Sequence, residues 1–188
     1  MKLLLIRHGE CLKEDLDPSL SKEGFLQAKA LANYLYKIPI TQVYVSSLNR
    51  TVQMFEEYHK LAKNISFQKT DEIKEIYRVL VGGKRKKGTS FNRKLKDKKR
   101  IELFIQKQFK STEKDKIIVL FTHGNVIKYI LAKFLHLNPK KLGQYLSISP
   151  ASISLIEIHE DETNVKFIND TFYLNKNFLI KKVESYTD

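Results

Sequence analysis

Two runs of consecutive apolar residues, Leu3-Leu4-Leu5-Ile6 and Ile117-Ile118-Val119-Leu120-Phe121, stand out along the chain. Runs of strand length without alternation predict strands buried on both faces, as in a parallel sheet covered by helices. Both stop at a turn that carries a histidine, Arg7-His8-Gly9 after the first and Thr122-His123-Gly124 after the second. A polar loop through Pro18 follows the first turn, and Ser21 is an N-cap for a helix running to about Lys37. Its apolar positions Phe25, Ala28, Leu31, Ala32 and Leu35 recur at helical spacing. Val43-Tyr44-Val45 predicts the next strand, and Ser46-Ser47-Leu48-Asn49-Arg50 opens a helix through about Leu61.

After a further short apolar stretch, residues 71–77 read as extended chain or loop, and Gly82 to Ser90 holds too many glycines and like charges for a core and predicts a mobile flap. A helix is expected from roughly Lys98 to Lys110. Another follows His123, with Val126, Ile127, Ile130, Leu131, Phe134 and Leu135 apolar and Pro139 after its end. Two late strands, Ile153 to Ile158 and Val165 to Ile168, flank a hairpin turn at 160–164, and the last dozen residues read as a tail or an edge element. The alternation of strands and helices predicts an α/β fold, a three-layer α/β/α sandwich whose mainly parallel sheet carries an antiparallel edge.

A length of 188 residues fits a single domain over 1–188, with a basic lid or insertion at about 78–100. A hydrophobic share of 42%, with 11 Phe and 9 Tyr, excludes a disordered chain. No apolar run reaches membrane-spanning length and the first strand lacks the flanks of a signal peptide, so no membrane partner is expected. The single cysteine, Cys11, excludes an internal disulfide framework and points to a cytoplasmic setting. Most of the net charge of +13 is local: from Lys84 to Arg100 ten Lys and Arg face one acid, Asp97. Three readings of that segment stand: a solvated loop, a lid that attracts an anionic substrate, or a nucleic-acid surface. Phe91 is its one aromatic and no recognition-helix motif is present, which disfavours nucleic acid.

If both apolar runs are strands of one parallel sheet, His8 and His123 arrive at the same edge, where open α/β sheets bind ligands. Histidine serves as nucleophile or base and arginine is shaped for phosphate, so Arg7 beside His8 points to phosphoryl chemistry. Arg50 falls in the first turn of a helix, where an anion is attracted twice. His59, His136 and His159 have no convergent partners, and no set of His, Asp or Glu has metal-ligand spacing, so neither a metal nor another cofactor is expected. A cysteine phosphatase built on Cys11 would need an arginine six residues on, where Asp17 stands.

Arg7-His8-Gly9, the stretch Leu20-Ser21-Lys22-Glu23-Gly24-Phe25-Leu26-Gln27-Ala28, Ser46-Ser47-Leu48-Asn49-Arg50, Glu75 and Thr122-His123-Gly124 together resemble, in order, the histidine phosphatase superfamily, also called the phosphoglycerate mutase-like family. The resemblance spans residues 3 to about 170. It implies that His8 attacks phosphorus and carries a phosphohistidine. It also implies that Arg7, Arg50 and His123, with Gly9 and Gly124 beside them, hold the phosphoryl oxygens without a metal. Glu75 would be the general acid and base, with Glu72 the other candidate because the register of 71–77 is open.

Two positions depart from the family pattern: Glu14 stands where many members carry asparagine, and Cys11 where Thr or Ser is usual. A phosphate contact at 14 is therefore not expected. The longer insertions of the glycolytic mutases are missing, which favours hydrolysis. Gly124 to Tyr129 and Ser152-Ile153-Ser154 look most like the branch that includes a mitochondrial protein serine/threonine phosphatase. The expected activity is metal-independent hydrolysis of a phosphomonoester, on a small phosphorylated metabolite or a phosphoprotein. A phosphomutase and a phospho-ligand binding module with little turnover remain the alternatives, and monomer and homodimer are both open.

Overall fold

The computed structural model describes residues 1–13, 17–84, 91–109, 116–160 and 162–174. Among them are six strands: β1 (Lys2–Arg7), β2 (Gln42–Ser46), β3 (Phe67–Thr70), β4 (Ile117–Thr122), β5 (Ile153–Ile158) and β6 (Thr163–Asp170). The helices are α1 (Lys22–Leu35), α2 (Asn49–Leu61), α3 (Phe91–Gln108), α4 (Gly124–Phe134) and α5 (Pro139–Tyr145), with a 3-10 turn at Arg78–Val81. The strands form one sheet in the order β3-β2-β4-β1-β5-β6. The first four are mutually parallel, and β5 and β6 add the antiparallel edge.

The continuous apolar runs have the physical cause the sequence suggests. Leu4 and Ile6 of β1, with Val119 and Phe121 of β4, pack on Ala28, Leu31, Leu35, Met54 and Phe55 from α1 and α2. Leu3, Leu5, Ile118 and Leu120 pack the other way, on Ile101 and Phe104 of α3 and Val126, Ile127, Ile130 and Leu131 of α4. Successive residues of one strand thus serve two separate cores, so a polar side chain at any buried position of either run would disrupt one of them. The β1–β4 register pairs Arg7 with Thr122, which brings residues 8 and 123 out of the sheet side by side.

Three elements differ from the sequence reading. α3 starts at Phe91, seven residues before the expected Lys98, so Arg93, Lys94 and Lys96 of the basic run are helical as well. Lysine and arginine are good helix formers, and Asp97 pairs along the helix with Arg93 and Arg100. β3 is an edge strand with only Thr70 buried, and α5 buries no residue at all, so neither leaves an apolar pattern. For α5 the local signal was Pro139 at its first turn behind Asn138, whose side chain caps the N–H groups of Lys140 and Lys141. Residues 85–90 of the expected flap, Glu14, Asp161 of the hairpin turn and residues 175–188 lie outside the described residues.

Candidate active site

The loop after β1 is held by three residues of the following helix. Ser21 caps α1 by accepting from the Gly24 N–H, and its hydroxyl donates to the Glu10 carboxylate at 2.8 Å. Gln27 Oε1 accepts the Glu10 N–H at 2.9 Å. At Gly24 a Cβ would stand 2.1 Å from the Glu10 carbonyl oxygen, so only glycine lets helix and loop meet. On its other side the loop is clamped by His8 N donating to the Thr122 carbonyl and Ala151 N donating to the His8 carbonyl, each at 3.0 Å. Ala151 takes a left-handed φ of 56° to do so, a strained backbone at the edge of the site.

The His8 and His123 rings lie 5.2 Å apart, centroid to centroid. His8 Nδ1 sits 2.8 Å from the Gly9 carbonyl, which can only accept, so Nδ1 carries the proton and Nε2 the lone pair. Burial, reinforced by Arg50 and Arg7, lowers the His8 pKa to about 3 and keeps the ring neutral. Cys11 Sγ lies 3.3 Å from both His8 Nδ1 and the Gly9 carbonyl. His123 is fully buried, with Nε2 2.8 Å from Ser46 Oγ, and burial followed by the neighbouring His8 holds its pKa well below the usual value. Its Nδ1, together with Arg7 Nε, is a buried polar atom with no hydrogen-bond partner among the described residues. Orphans of this kind at one place call for an explanation.

Arg50 is 8% exposed and stands in the first turn of α2, as expected. Ser46 and Ser47 do not cap that helix; Ser46 turns to His123, and Ser47 donates to Asp71. The cap comes from the distant Asp17, whose two carboxylate oxygens each accept the Asn49 N–H at 3.0 Å while Oδ1 pairs with Arg50 at 3.3 Å. Arg7 donates from a guanidinium N–H to the Ile148 carbonyl.

Glu75 occupies the loop after β3, half-buried, and desolvation pushes its carboxyl up to about 7 against the pull of Arg50, Arg7 and the N–H groups of Ile76 and Asn125. A cavity of about 480 Å³ is lined by Arg7, Glu75, Arg78, Arg93, Asn125 and Lys128, among others. A second of about 490 Å³ is lined by Arg50, Lys74, Glu75, Arg93, Asp97 and Arg100, among others. Glu75 therefore stands where the two meet, whereas Glu72 lies in neither wall and engages Thr70. Neither imidazole lines either of these two cavities; their chain neighbours Arg7 and Gly124 line the first.

The Glu75 loop has an anchor that sequence reasoning missed. Arg100 donates to the carbonyl oxygens of Asp71, Glu72 at 3.1 Å, Lys74 at 3.1 Å and Glu75 at 3.5 Å, and pairs with Asp97 at 2.9 Å. Asp97 also accepts the Tyr77 N–H at 2.8 Å. From the β4 side Thr122 donates to the Ile73 carbonyl at 2.8 Å. The one available signal was a lone acid inside a run of ten bases.

Among the described residues, no helix is long and apolar enough to cross a membrane, and no group of three or more His, Cys, Asp or Glu is placed to hold a metal ion.

Comparison with known proteins adds three findings. A sequence model of the histidine phosphatase superfamily (branch 1) matches residues 3–95 and 94–171. The chain is 36% identical over 90 residues to a probable phosphatase of Schizosaccharomyces pombe, spanning 44% of this chain and 43% of that one. It is 28% identical over 198 positions to the mitochondrial serine/threonine-protein phosphatase Pgam5 of Drosophila grimshawi, spanning 96% of this chain and 67% of that one. Among solved structures, the native mycobacterial glucosyl-3-phosphoglycerate phosphatase superposes with a TM-score of 0.72 at 17% identity, covering 90% of this chain and 99% of that one. The phosphoserine phosphatase of Entamoeba histolytica in complex with 3-phosphoglyceric acid gives 0.70 at 22%, covering 93% and 99%.

Proposed function

Because the chain belongs to the histidine phosphatase superfamily, we propose that it hydrolyses phosphomonoesters through a phosphohistidine formed on His8. The observation that carries this reading is the His8 Nδ1–H bond to the Gly9 carbonyl, which leaves Nε2 unprotonated in a ring that stays neutral well below physiological pH. In the first half-reaction Nε2 attacks phosphorus in line, the bond to the ester oxygen breaks, and Glu75 in its protonated form gives that oxygen its proton. In the second, ionised Glu75 takes a proton from water, water oxygen displaces Nε2, and phosphate leaves. A carboxyl near 7 is populated in both forms at neutral pH, as a group that acts first as acid and then as base requires.

Charge on the transferred group is met by Arg7, Arg50 and the unpartnered Nδ1 of His123, with the N-termini of α2 and α4 opening toward the same edge. With Ser46 donating to Nε2, that Nδ1 carries a proton and is a hydrogen-bond donor without an acceptor. The phosphoryl oxygens supply the missing acceptor. The relatives' names favour hydrolysis over mutase activity, and span both small phosphorylated metabolites and phosphoproteins as substrates. A reducing compartment such as the cytoplasm accords with a single free thiol.

The test is release of inorganic phosphate from an aryl phosphate by the wild type and by His8→Ala. Loss of turnover in the variant is expected. Net isomerisation of a phosphoglycerate without phosphate release would instead make the protein a mutase, and tight binding with no His8-dependent turnover would make it a binding module.

A further inference from the structure

Another cavity, of about 340 Å³, shares no lining residue with the two that meet at Glu75. One wall is α3, which contributes Lys94, Lys98 and Glu102; at intervals of four these three form a single stripe along the helix. The other wall is the end of α4 and the turn into α5, with Lys133 and Lys140. Four lysines thus stand around Glu102, the one carboxylate among the described residues that line the cavity. That carboxylate is already engaged, accepting from the Tyr129 hydroxyl at 2.8 Å and pairing with Lys133 at 3.2 Å. The lining keeps a positive excess.

The rest of the lining is largely apolar. Leu80 of the 3-10 turn is buried, and Pro139 and Leu137 come from the turn into α5. His136, at a left-handed φ of 54°, turns the chain there, and Leu137 stays 49% exposed. A lysine excess alone attracts any polyanion, but this lining selects among them. Tyr129 is 3% exposed, so it offers no ring face on which a base could stack. Phosphates and sugars gain nothing from Leu80, Leu137 and Pro139. An apolar side chain with carboxylates on either side satisfies the lysines and the apolar surface together. The volume is that of a small-ligand site, enough for an anchoring side chain and too little for a duplex.

We propose that this cavity docks a protein partner by an acidic segment, taking a leucine or phenylalanine side chain whose neighbours are Asp and Glu. The lysines speed the encounter, and the apolar contact holds the complex. Docking here is independent of the chemistry at His8.

The experiment is fluorescence anisotropy at low salt on the full-length protein with a labelled peptide in which a leucine is flanked on both sides by Asp and Glu. Two altered peptides accompany it, one with serine for the leucine and one with Asn and Gln for the acids. The protein variants are Leu137→Asp, which puts a negative charge into the cavity, and the double charge reversal Lys98→Glu with Lys140→Glu. All three positions are exposed, so no core is opened, and unchanged turnover of an aryl phosphate checks the fold. The parent peptide binds the wild type saturably, and each peptide change and each protein variant weakens binding about ten-fold or more. No saturation up to about 1 mM wild-type protein overturns the proposal. So does an altered peptide that binds as tightly as the parent, or binding that survives both variants. Equally tight binding of a single-stranded oligothymidylate of the same charge would make the cavity part of a general polyanion surface and overturns it too.

Discussion

His8 donates from Nδ1 to the carbonyl oxygen of Gly9, its own neighbour, at 2.8 Å, and this bond decides which ring nitrogen keeps a lone pair. The acceptor is backbone, so no side-chain change can reverse the choice. In the proposed reaction the phosphorylated intermediate therefore carries phosphorus on Nε2. Rapid quenching into base, which phosphohistidine survives, followed by phosphorus–nitrogen coupling in NMR spectra, reads the position directly; an Nδ1 adduct would contradict the tautomer.

In the proposed reaction Glu75 is the acid that protonates the leaving oxygen. With its carboxyl at about 7, the rate of the first half-reaction falls as pH rises above neutrality, because the acid form is being lost. Glu75→Gln lowers kcat/KM for an alkyl phosphate by about 100-fold or more and flattens that alkaline limb. An aryl phosphate, whose oxygen leaves without help, loses far less. Equal losses on the two substrates would move the acid elsewhere.

Arg50→Ala and His123→Ala each lower kcat/KM by about two orders of magnitude, the usual consequence of losing one preorganised donor to developing charge. Asp17→Asn acts oppositely on product. It removes a negative charge 3.3 Å from the Arg50 guanidinium, in an ion pair whose carboxylate is 42% exposed, so inorganic phosphate inhibits up to about five-fold more strongly. Steady-state inhibition by phosphate decides this; a weaker inhibition would show that Arg50 needs Asp17 to be held in place.

Arg100→Met releases five acceptors at once and loosens the loop that presents Glu75. Each hydrogen bond from a charged group contributes about 1.5–3 kcal/mol, so denaturant midpoints drop. The informative readout is the pH profile. Arg100 acts through the position of Glu75, so its loss shifts the alkaline limb and lowers kcat more than it raises KM. Arg100→Lys, a point charge without the planar fork, restores little. A profile unmoved in the variant would reduce Arg100 to a structural role.

Stability follows pH through the same groups. His8 binds its proton at about 3 when folded and near 6.5 when unfolded, so the unfolded chain holds more protons and stability climbs as pH rises through that window. Glu75, raised to about 7, runs the other way: the folded state holds the extra proton from about 4.5 to 7, and stability falls there as pH rises. Thermal scans across pH 4–8 show the climb steepened in Glu75→Gln and shallower in His8→Asn. Identical curves for wild type and both variants would mean that neither group is desolvated as described.

Much of this arrangement was legible because it depends on short-range pattern. Two apolar runs that end in histidine turns are a local signal, and parallel pairing at the sheet's C-terminal edge then leaves His8 and His123 few places to go. Arg50 was legible from its distance past a strand. Glu75 was identified only through family resemblance, since a loop has no periodicity and nothing local separates it from Glu72. Arg100 was read as part of a basic run because its partners are backbone carbonyls some 25–29 residues away, which have no side-chain identity to match. Asp17 escaped for a similar reason: it caps a helix that begins 32 residues later. The helix expected from Lys98 starts at Phe91 instead, where helix propensity and the Asp97 pairings outweigh the repulsion among lysines.

The pairing of β1 with β4 joins segments more than a hundred residues apart. A nascent chain emerging from the ribosome therefore carries His8 long before it has the strand that brings His123 beside it. Until β4 is synthesised, β1 lacks the partner that sets the spacing of the two imidazoles, and contacts of such long range form late and slowly. The meeting of His8 and His123 and global folding consequently arrive together, and in the proposed reaction no fragment ending before residue 117 can hold a phosphoryl group in this manner.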